Sequence, residues 1–393
     1  MKNKKLSIVG RGTVGCLTVG HFLAYTNWEI DWIFDPNVPA AAVGEGTSLI
    51  FPKELVKLFN WQHDTLYKIQ GTVKQGIYKE NWGGGNSFLH PFPIDSIGIH
   101  LSAVDFQNEV FELLAKQPRV NIIEKSVVDT DQLDSDFVMM CTGSQQNLDS
   151  NYVSRNHIPV NSAYVTQCYW DYPRFTHTLT IARPWGWVFG IPLQKRCAIG
   201  YLYNKDITSL DTVKEDVKEI FKQYQLTPSE KTNHIHFNNY SRINNFTERV
   251  AYNGNASFFL EPLEATSTGT AAYVNRYAWD VWNDGLSIKE ANHWYDKEIN
   301  DIESMICLHY MSGSIYKNNF WDYATSIATD KIQKEFENRS DFATFAINSM
   351  IPQNLNLPSG RNVGSWPEMS YNINIKKLGL ESNIETFKNQ YFL

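Results

Sequence analysis

A carboxylate beside a hydroxyl-rich turn is the part of the sequence best suited to chemistry. Glu264 lies within residues 255–269, where Pro262 ends a short apolar run and a turn rich in Thr and Ser leads into a helical pattern at about residues 270–282. Backbone N–H groups at the start of a helix have no partner inside it, and the helix dipole favours an anion there. Glu264 is therefore either a structural carboxylate at the helix start or a catalytic acid or base beside an anion site.

A lysine in apolar surroundings is the second candidate. Lys74 lies in residues 71–82, whose pattern predicts a strand. Most lysines in such positions extend the ammonium group to solvent. A buried lysine would instead have a shifted pKa and a chemical use.

Three glycines near the N-terminus have the spacing of a dinucleotide-binding turn. Gly10-x-Gly12-x-x-Gly15 stands between an apolar strand pattern at residues 6–9 and a helical pattern at residues 16–25. Such glycines allow a tight turn, close approach of the backbone to a pyrophosphate, and packing of the helix on the strand. The motif and its context predict a site for an adenine dinucleotide.

Two further segments suit the same ligand. Asp35 follows a predicted strand at residues 29–34, where an acidic residue commonly holds a ribose hydroxyl. The alternative is that Asp35 only begins the turn that follows the strand. Gly44 and Gly46 lie in a loop at residues 43–47 and permit close backbone approach to a flat ligand.

The order of predicted elements indicates an α/β chain with two kinds of sheet. Strands and helices alternate over the first 145 residues, as in a dinucleotide-binding sheet. Four strand patterns then predict an antiparallel sheet in a separate substrate domain, at residues 164–170, 176–182, 187–192 and 197–203. Helical patterns dominate from residue 270 to about 310, and the Asn-rich last 50 residues predict loops.

The composition excludes several classes of protein. The 393 residues carry a net charge of -7, which argues against nucleic acid as a partner. The five cysteines are scattered without a Cys-x-x-Cys pair, so neither a disulfide framework nor a zinc site is predicted. The apolar run after Lys5 is too short for a signal peptide or a membrane span. We expect a cytoplasmic protein that binds no membrane and no metal.

Three of these features in this order carry a resemblance to a known family. They are the Gly10-x-Gly12-x-x-Gly15 turn, Lys74 within Gly-Thr-Val-Lys, and Glu264 within Glu-Pro-Leu-Glu-Ala-Thr-Ser. With them the chain resembles the flavin-dependent tryptophan halogenases. The resemblance implies an FAD-binding Rossmann-like domain of the hydroxybenzoate-hydroxylase type, and an antiparallel-sheet substrate domain with a helical cap. The expected FAD-binding segments are residues 1–60, 95–160 and 240–285, and the substrate segments are residues 61–94, 161–239 and 286–393.

The resemblance also implies a reaction. FADH2, supplied by a separate flavin reductase, would react with O2 and a chloride, bromide or iodide ion to give hypohalous acid. Lys74 would relay this oxidant to a small electron-rich aromatic substrate of the indole or tryptophan type. Glu264 would orient the electrophile or take up the ring proton. A homo-oligomer is compatible with this assignment.

Further residues match the family's binding segments. The halide would be held by the backbone N–H groups of Thr266 and Ser267, and the substrate would lie against His90 and Phe92. The FAD contacts implied are Gly10, Gly12, Thr13, Val14, Gly15, Asp35, Val43, Gly44, Glu45, Gly46, Thr47, Val127, Asn255 and Thr268. The tunnel motif implied is Trp187, Phe189, Ile191 and Pro192.

Two departures keep other functions open. The family's Trp-x-Trp-x-Ile-Pro motif, which separates substrate from flavin, has Phe189 in place of the second Trp. The chain is also shorter than typical members, which favours a more open site and substrates other than tryptophan itself. An aromatic monooxygenase and a non-catalytic flavin-binding relative are therefore the alternatives.

Overall fold

The chain forms two units, each assembled from three separate segments. The computed structural model describes residues 4–42, 45–49, 51–62, 64–85, 87–93, 96–144, 148–350, 362–363 and 366–393. The first unit comprises Met1–Val73, Ile97–Ser154 and Tyr240–Asp296, and the second comprises Lys74–Ser96, Arg155–Asn239 and Lys297–Leu393.

Strands occur in both units. In the described part of the chain they are β1 (Lys5–Val9), β2 (Glu29–Phe34), β3 (Thr72–Lys74), β4 (Gly76–Glu80), β5 (Phe88–Pro91), β6 (Gly98–His100), β7 (Val120–Glu124), β8 (Phe137–Met140), β9 (Tyr152–Ser154), β10 (Ser162–Tyr169), β11 (Thr178–Arg183), β12 (Gly186–Pro192), β13 (Arg196–Tyr203), β14 (Thr227–His236), β15 (Tyr240–Arg242), β16 (Val250–Tyr252), β17 (Phe258–Phe259), β18 (Asn362–Val363) and β19 (Trp366–Pro367).

Helices increase in number toward the C-terminus. Over the same residues they are α1 (Thr13–Tyr25), α2 (Phe51–Phe59), α3 (Thr65–Lys68), α4 (Ala103–Leu114), α5 (Leu210–Gln223), α6 (Ser267–Trp279), α7 (Ile288–Met311), α8 (Asn319–Glu337), α9 (Asp341–Ser349), α10 (Glu368–Lys377) and α11 (Glu381–Tyr391). No helix in the described ranges is both long and apolar enough to cross a membrane.

The first unit is built on a parallel sheet. Its strand order is β16-β8-β1-β2-β7, and all four neighbouring pairs run parallel. The two central strands, β1 and β2, are almost wholly buried, which explains why both read as continuous apolar runs. The alternation of strands and helices predicted for this region is confirmed.

The second unit is built on a larger, mainly antiparallel sheet. Its strand order is β14-β10-β13-β12-β11-β4-β5, and only the β11–β4 pair among these is parallel. One face of this sheet packs its apolar side chains against α5, through Val213, Val217 and Ile220. The antiparallel sheet and the α/β class expected from the sequence are confirmed.

Several predicted boundaries are wrong. The strand predicted at residues 71–82 is divided at Gln75 into β3 and β4. The prediction of loops in the last 50 residues is also wrong, because α10 and α11 lie there. Their apolar residues repeat at helical spacing and are buried, as Ile384 and Phe387 show.

Some residues fall on the other side of the expected domain boundaries. Residues 61–73 and 286–296 lie in the first unit, and residues 96 and 155–160 lie in the second.

Candidate functional site

Each glycine of the N-terminal motif has a different physical role. Gly10 has φ +118°, and a β-carbon there would lie 2.2 Å from the Cys141 carbonyl oxygen. A β-carbon at Gly15 would lie 2.2 Å from the Gly10 carbonyl oxygen, so Gly15 is what allows α1 to pack on the turn. At Gly12, the N-cap of α1, no described atom lies within 4 Å of the same position. The backbone at Gly12 is therefore open to a ligand at the N-terminus of a 13-residue helix.

The start of α1 is held by residues distant in sequence. The Thr13 hydroxyl accepts a hydrogen bond of 3.1 Å from the Gln107 amide. A β-carbon at Gly254, where φ is +57°, would lie 2.9 Å from a methyl group of Val14. The turn containing Gly254 and Asn255 therefore packs directly on the start of the helix.

Asn255 lies at the edge of the same region. Its side-chain amide donates to the Ser144 hydroxyl at 3.1 Å, and its carbonyl oxygen accepts from the Tyr240 hydroxyl at 2.6 Å. Asn255 is therefore fixed by contacts on both its side chain and its backbone.

A buried amide joins β16, α1 and α6. Asn253 is fully buried, and its amide nitrogen donates to Asn275 Oδ1 at 2.8 Å and to the Ala271 carbonyl at 3.0 Å. Thr18 on α1 donates to the same Asn275 oxygen at 3.0 Å. This Asn253 network fixes the two helices whose N-termini are the candidate anion sites.

The loop before α2 is attached to β6 and to the start of α6. Thr47 pairs with Ile99 through backbone and side chain, at 2.7 to 3.1 Å. The Ser48 N–H donates to the Thr268 hydroxyl at 3.4 Å, and a β-carbon at Gly269 would lie 2.9 Å from Ser48 Oγ. The structure thus places Thr268 next to the loop that contains Glu45, Gly46 and Thr47, and the assignment of all four to FAD, which the resemblance implies, stays a prediction.

The turn after Pro262 is strained. Glu264 has φ 71° and ψ 0°, and Ala265 has φ 54°, so two consecutive residues other than glycine are left-handed. Each such residue costs on the order of 1–3 kcal/mol and persists only where its surroundings impose it. Thr266 returns to right-handed geometry and is the N-cap of α6. A change between left- and right-handed backbone is one geometry in which successive N–H groups can form an anion-binding concavity.

These features fit an adenine dinucleotide and a halide. The open backbone at Gly12 and the start of α1 would hold a pyrophosphate, and the turn at Thr266 and Ser267, at the start of α6, would hold a small anion.

Asp35 is occupied by local partners. Its carboxylate accepts the Asn37 N–H at 2.9 Å and the Ser126 hydroxyl at 2.8 Å. The Asn37 hydrogen bond lowers the pKa of Asp35. These contacts support the turn interpretation of Asp35, and its contact with a ribose stays a prediction.

No contact that suits a cofactor is described for three other predicted FAD-binding residues. Val43 and Gly44 lie outside the described residues. Val127 is half-buried and packs against a cluster of Val9, Ile33, Leu133 and Val138.

Lys74 is the first residue of the second unit and is almost fully buried, with 1% of its surface exposed. Its ammonium nitrogen lies 5.4 Å from the centre of the Phe92 ring, within cation–π range. The simple expectation that this lysine extends to solvent is therefore wrong. Glu264 belongs to the first unit, and its role with Lys74 in one reaction stays a prediction.

The tunnel motif forms β12. Trp187, Phe189 and Ile191 alternate with Val188 and therefore share one face of the sheet, while Val188 and Pro192 lie on the other. Phe189 is paired with Gly200, and a β-carbon on Gly200 would lie 2.2 Å from the Phe189 ring. The phenyl ring thus covers the glycine of the neighbouring strand.

The sequence did not identify a buried polar cluster in the second unit. Lys79, His309 and Asn374 are all fully buried, and the Lys79 ammonium group lies 2.5 Å from His309 Nε2 and 2.9 Å from Asn374 Oδ1. His90, one of the predicted substrate residues, is hydrogen-bonded through Nε2 to Ser370 Oγ at 3.0 Å. The feature of the sequence that could have indicated this cluster is a second lysine, Lys79, five residues after Lys74 in the same predicted strand.

No group of three metal-binding side chains occurs among the residues that the structure describes. All five cysteines are buried thiols.

Comparison with known proteins identifies the family. The tryptophan halogenase family model matches residues 5–126 and 116–349. The 7-chloro-L-tryptophan 6-halogenase KtzR of Kutzneria sp. (strain 744) is 24% identical over 225 residues, which are 52% of this chain and 42% of that protein. The match thus spans about two fifths of this curated relative.

Solved structures share the fold over nearly the whole chain. A tryptophan 6-halogenase from Streptomyces toxytricini aligns with a TM-score of 0.79 and 16% identity, covering 100% of this chain and 97% of its own. A flavin-dependent halogenase from Xanthomonas campestris aligns with a TM-score of 0.76 and 18% identity, covering 99% and 98%. The family resemblance predicted from the sequence is confirmed. The chain belongs to the tryptophan halogenase family.

Proposed function

We propose that the protein halogenates an electron-rich aromatic substrate of the indole class, using FADH2, O2 and a halide ion. The first unit would be the FAD-binding domain and the second the substrate domain. The observation that carries the proposal is the strained turn at Glu264 and Ala265, directly before α6 and in the same unit as the open dinucleotide turn.

The residues of the first unit would bind and orient the reactants. The backbone at Gly12 and the start of α1 would hold the pyrophosphate of FAD. The loop containing Thr47, together with Thr268 on α6, would fix its isoalloxazine end. The chemistry that bound FADH2 would supply is the activation of O2, by which the halide would be oxidised to hypohalous acid. The N–H groups of Thr266 and Ser267 would hold the halide, aided by the dipole of α6.

Two side chains would handle the electrophile and the proton. Lys74 would bind the hypohalous acid or carry the halogen as a haloamine, and its burial supports this role because water competes poorly in such a site. Glu264 would orient the electrophile or accept the proton that leaves the ring. The geometry of Trp187, Phe189 and Ile191 on one sheet face is compatible with a passage for the oxidant.

The substrate proposed is broader than tryptophan. The curated relative acts on 7-chloro-L-tryptophan, so an indole is the natural first class to test. The FADH2 would come from a separate flavin reductase.

The test is incubation of the protein with a flavin reductase, NADH, FAD, bromide and a panel of indoles and phenols, followed by mass spectrometry. A brominated product supports the proposal. An oxygen-added product without bromine would instead indicate the monooxygenase alternative, and flavin oxidation without any organic product would indicate a non-catalytic relative. Glu264→Gln should lower bromination by at least tenfold, whereas Glu248→Gln, an exposed glutamate in the same unit, should not.

A further inference from the structure

Strand register places His90 and Lys79 on one face of the sheet in the second unit. Ile77 on β4 is paired with His90 on β5, and Lys79 is paired with Phe88. Side chains of directly opposite residues lie on the same face, as do those two residues apart along a strand. His90 and Lys79 therefore project from the same face, one pleat apart.

The tunnel residues share this face. Thr180 on β11 is paired with both Lys79 and Phe189, so a single row crosses the sheet from Phe189 through Thr180 to Lys79. The Trp82 ring lies between the tunnel motif and the Lys79 cluster, with its centre 6.5 Å from the Trp187 ring and 5.9 Å from the His309 ring.

One helix is attached to this face at two points. Ser370 and Asn374 are four residues apart on α10 and so lie on the same side of the helix. Ser370 Oγ is hydrogen-bonded to His90 Nε2 at 3.0 Å, and Asn374 Oδ1 accepts from the Lys79 ammonium group at 2.9 Å. The spacing on the helix matches the spacing on the sheet.

The second attachment has a defined hydrogen-bond direction. The Met305 carbonyl accepts from His309 Nδ1 at 2.8 Å, so Nδ1 carries the proton and Nε2 accepts from Lys79 at 2.5 Å. A buried ammonium group is costly unless it is well hydrogen-bonded, and an apolar side chain of similar volume would often stabilise the fold as well. Such a group fixes one arrangement of the elements around it, here β4, α7 and α10.

We propose, resting on the proposed function, that α10 positions His90 against the aromatic substrate. Ser370 is the positioning residue that sets the tautomer and orientation of the His90 ring. Lys79, through Asn374, fixes the height and rotation of α10 over the sheet. The class of ligand is the flat aromatic ring of the substrate, and the effect is on its orientation, not on the formation of the oxidant.

The experiment compares Ser370→Ala with Ser370→Thr, which retains a hydroxyl, and with Lys377→Ala on the exposed side of the same helix. Histidine NMR on the protein without cofactor reports the tautomer and pKa of His90. Steady-state bromination of an indole reports KM, kcat and the ratio of product isomers. We expect Ser370→Ala to change the His90 resonances, to raise KM at least fivefold and to alter the isomer ratio, with flavin oxidation unchanged. Ser370→Thr should restore most of each effect, and Lys377→Ala should match the wild type.

Two variants at Asn374 test the other attachment of α10 independently of Ser370. Asn374→Asp keeps an acceptor for Lys79 and should leave KM within twofold, whereas Asn374→Leu should reproduce the Ser370→Ala phenotype. Unchanged His90 resonances in Ser370→Ala overturn the inference, whether or not the wild type halogenates. If the wild type brominates and Ser370→Ala keeps its KM and isomer ratio, the inference fails while the proposed function stands. If the wild type forms no brominated product, the proposed function fails, and the orientation role proposed for His90 fails with it.

Discussion

Two glycine-to-alanine substitutions in the N-terminal turn should separate folding from cofactor binding. A β-carbon at Gly15 would lie 2.2 Å from the Gly10 carbonyl oxygen, with backbone on both sides that cannot move away independently. Overpacking of this kind costs about 3 kcal/mol at its upper end, and the better helix propensity of alanine returns about 1 kcal/mol. Gly15→Ala should therefore reduce the free energy of unfolding by roughly 2 kcal/mol.

Gly12→Ala should have the opposite profile. The same methyl group at Gly12 would meet no described atom within 4 Å, and φ -69° with ψ 180° is accessible to alanine. The free energy of unfolding should change by less than about 0.5 kcal/mol. The methyl group would instead obstruct the backbone N–H groups offered to a pyrophosphate. Since a hydrogen bond to a charged group contributes about 1.5–3 kcal/mol, the Kd for FAD should rise roughly 10- to 150-fold for each bond lost.

The assay is urea unfolding and FAD titration by fluorescence on the same preparations. Gly84→Ala is the matched control, because its added methyl group also meets no described atom within 4 Å and the residue lies in the other unit. Wild-type FAD affinity in Gly12→Ala would refute the assignment of this turn to the cofactor. Wild-type stability in Gly15→Ala would refute the packing argument.

Three further predictions follow from buried groups in the chain. Burial, with smaller contributions from the charges of Arg276 and Lys57, lowers the pKa of His21 to about 4, so the unfolded chain binds the extra proton between pH 6.5 and 4. The free energy of unfolding should therefore fall as pH falls through that window, by roughly 3 kcal/mol from this residue. His21→Gln should flatten the profile of urea midpoint against pH, while substitution of the exposed His293 should leave the profile unchanged. Burial raises the pKa of the Cys16 and Cys141 thiols to about 12. Because all five cysteines are buried, a thiol reagent should label none of them in the folded protein and all five in urea. Rapid labelling before unfolding would contradict the burial of these residues. Asn253→Ala should lower the free energy of unfolding by about 1–3 kcal/mol, because it leaves buried groups of the Asn253 network without their donor, and an unchanged urea midpoint would contradict this.

Much of the first unit was predictable because its signals are local. The strand patterns of β1 and β2 reflect burial on both faces, and the glycine spacing reflects steric limits within one turn. The position of Glu264 beside a helix start was also predictable, since Pro262 and the hydroxyl-rich turn define it. The left-handed backbone at Glu264 and Ala265 was not, because neither residue is a glycine and the strain is imposed by tertiary structure.

The second unit was predicted less well for the same physical reason. Asn374 contributes to an Asn-rich segment that predicted a loop, yet it lies buried in a helix because Lys79, almost 300 residues earlier in the chain, provides its partner. Lys79 lies within a strand pattern that also contains Lys74, and the pattern does not indicate whether either lysine is buried. Such pairings depend on register and on helix docking, which sequence spacing does not encode.

The central claim is that Lys74 transfers the halogen, and the most direct test is bromination by Lys74→Ala. The measurement is brominated indole by mass spectrometry together with flavin oxidation, with Lys195→Ala as an exposed-lysine control from the same unit. We predict that Lys74→Ala forms no brominated product above background while oxidising flavin at the wild-type rate, and that Lys195→Ala behaves as the wild type. Bromination by Lys74→Ala at the wild-type rate would contradict the account.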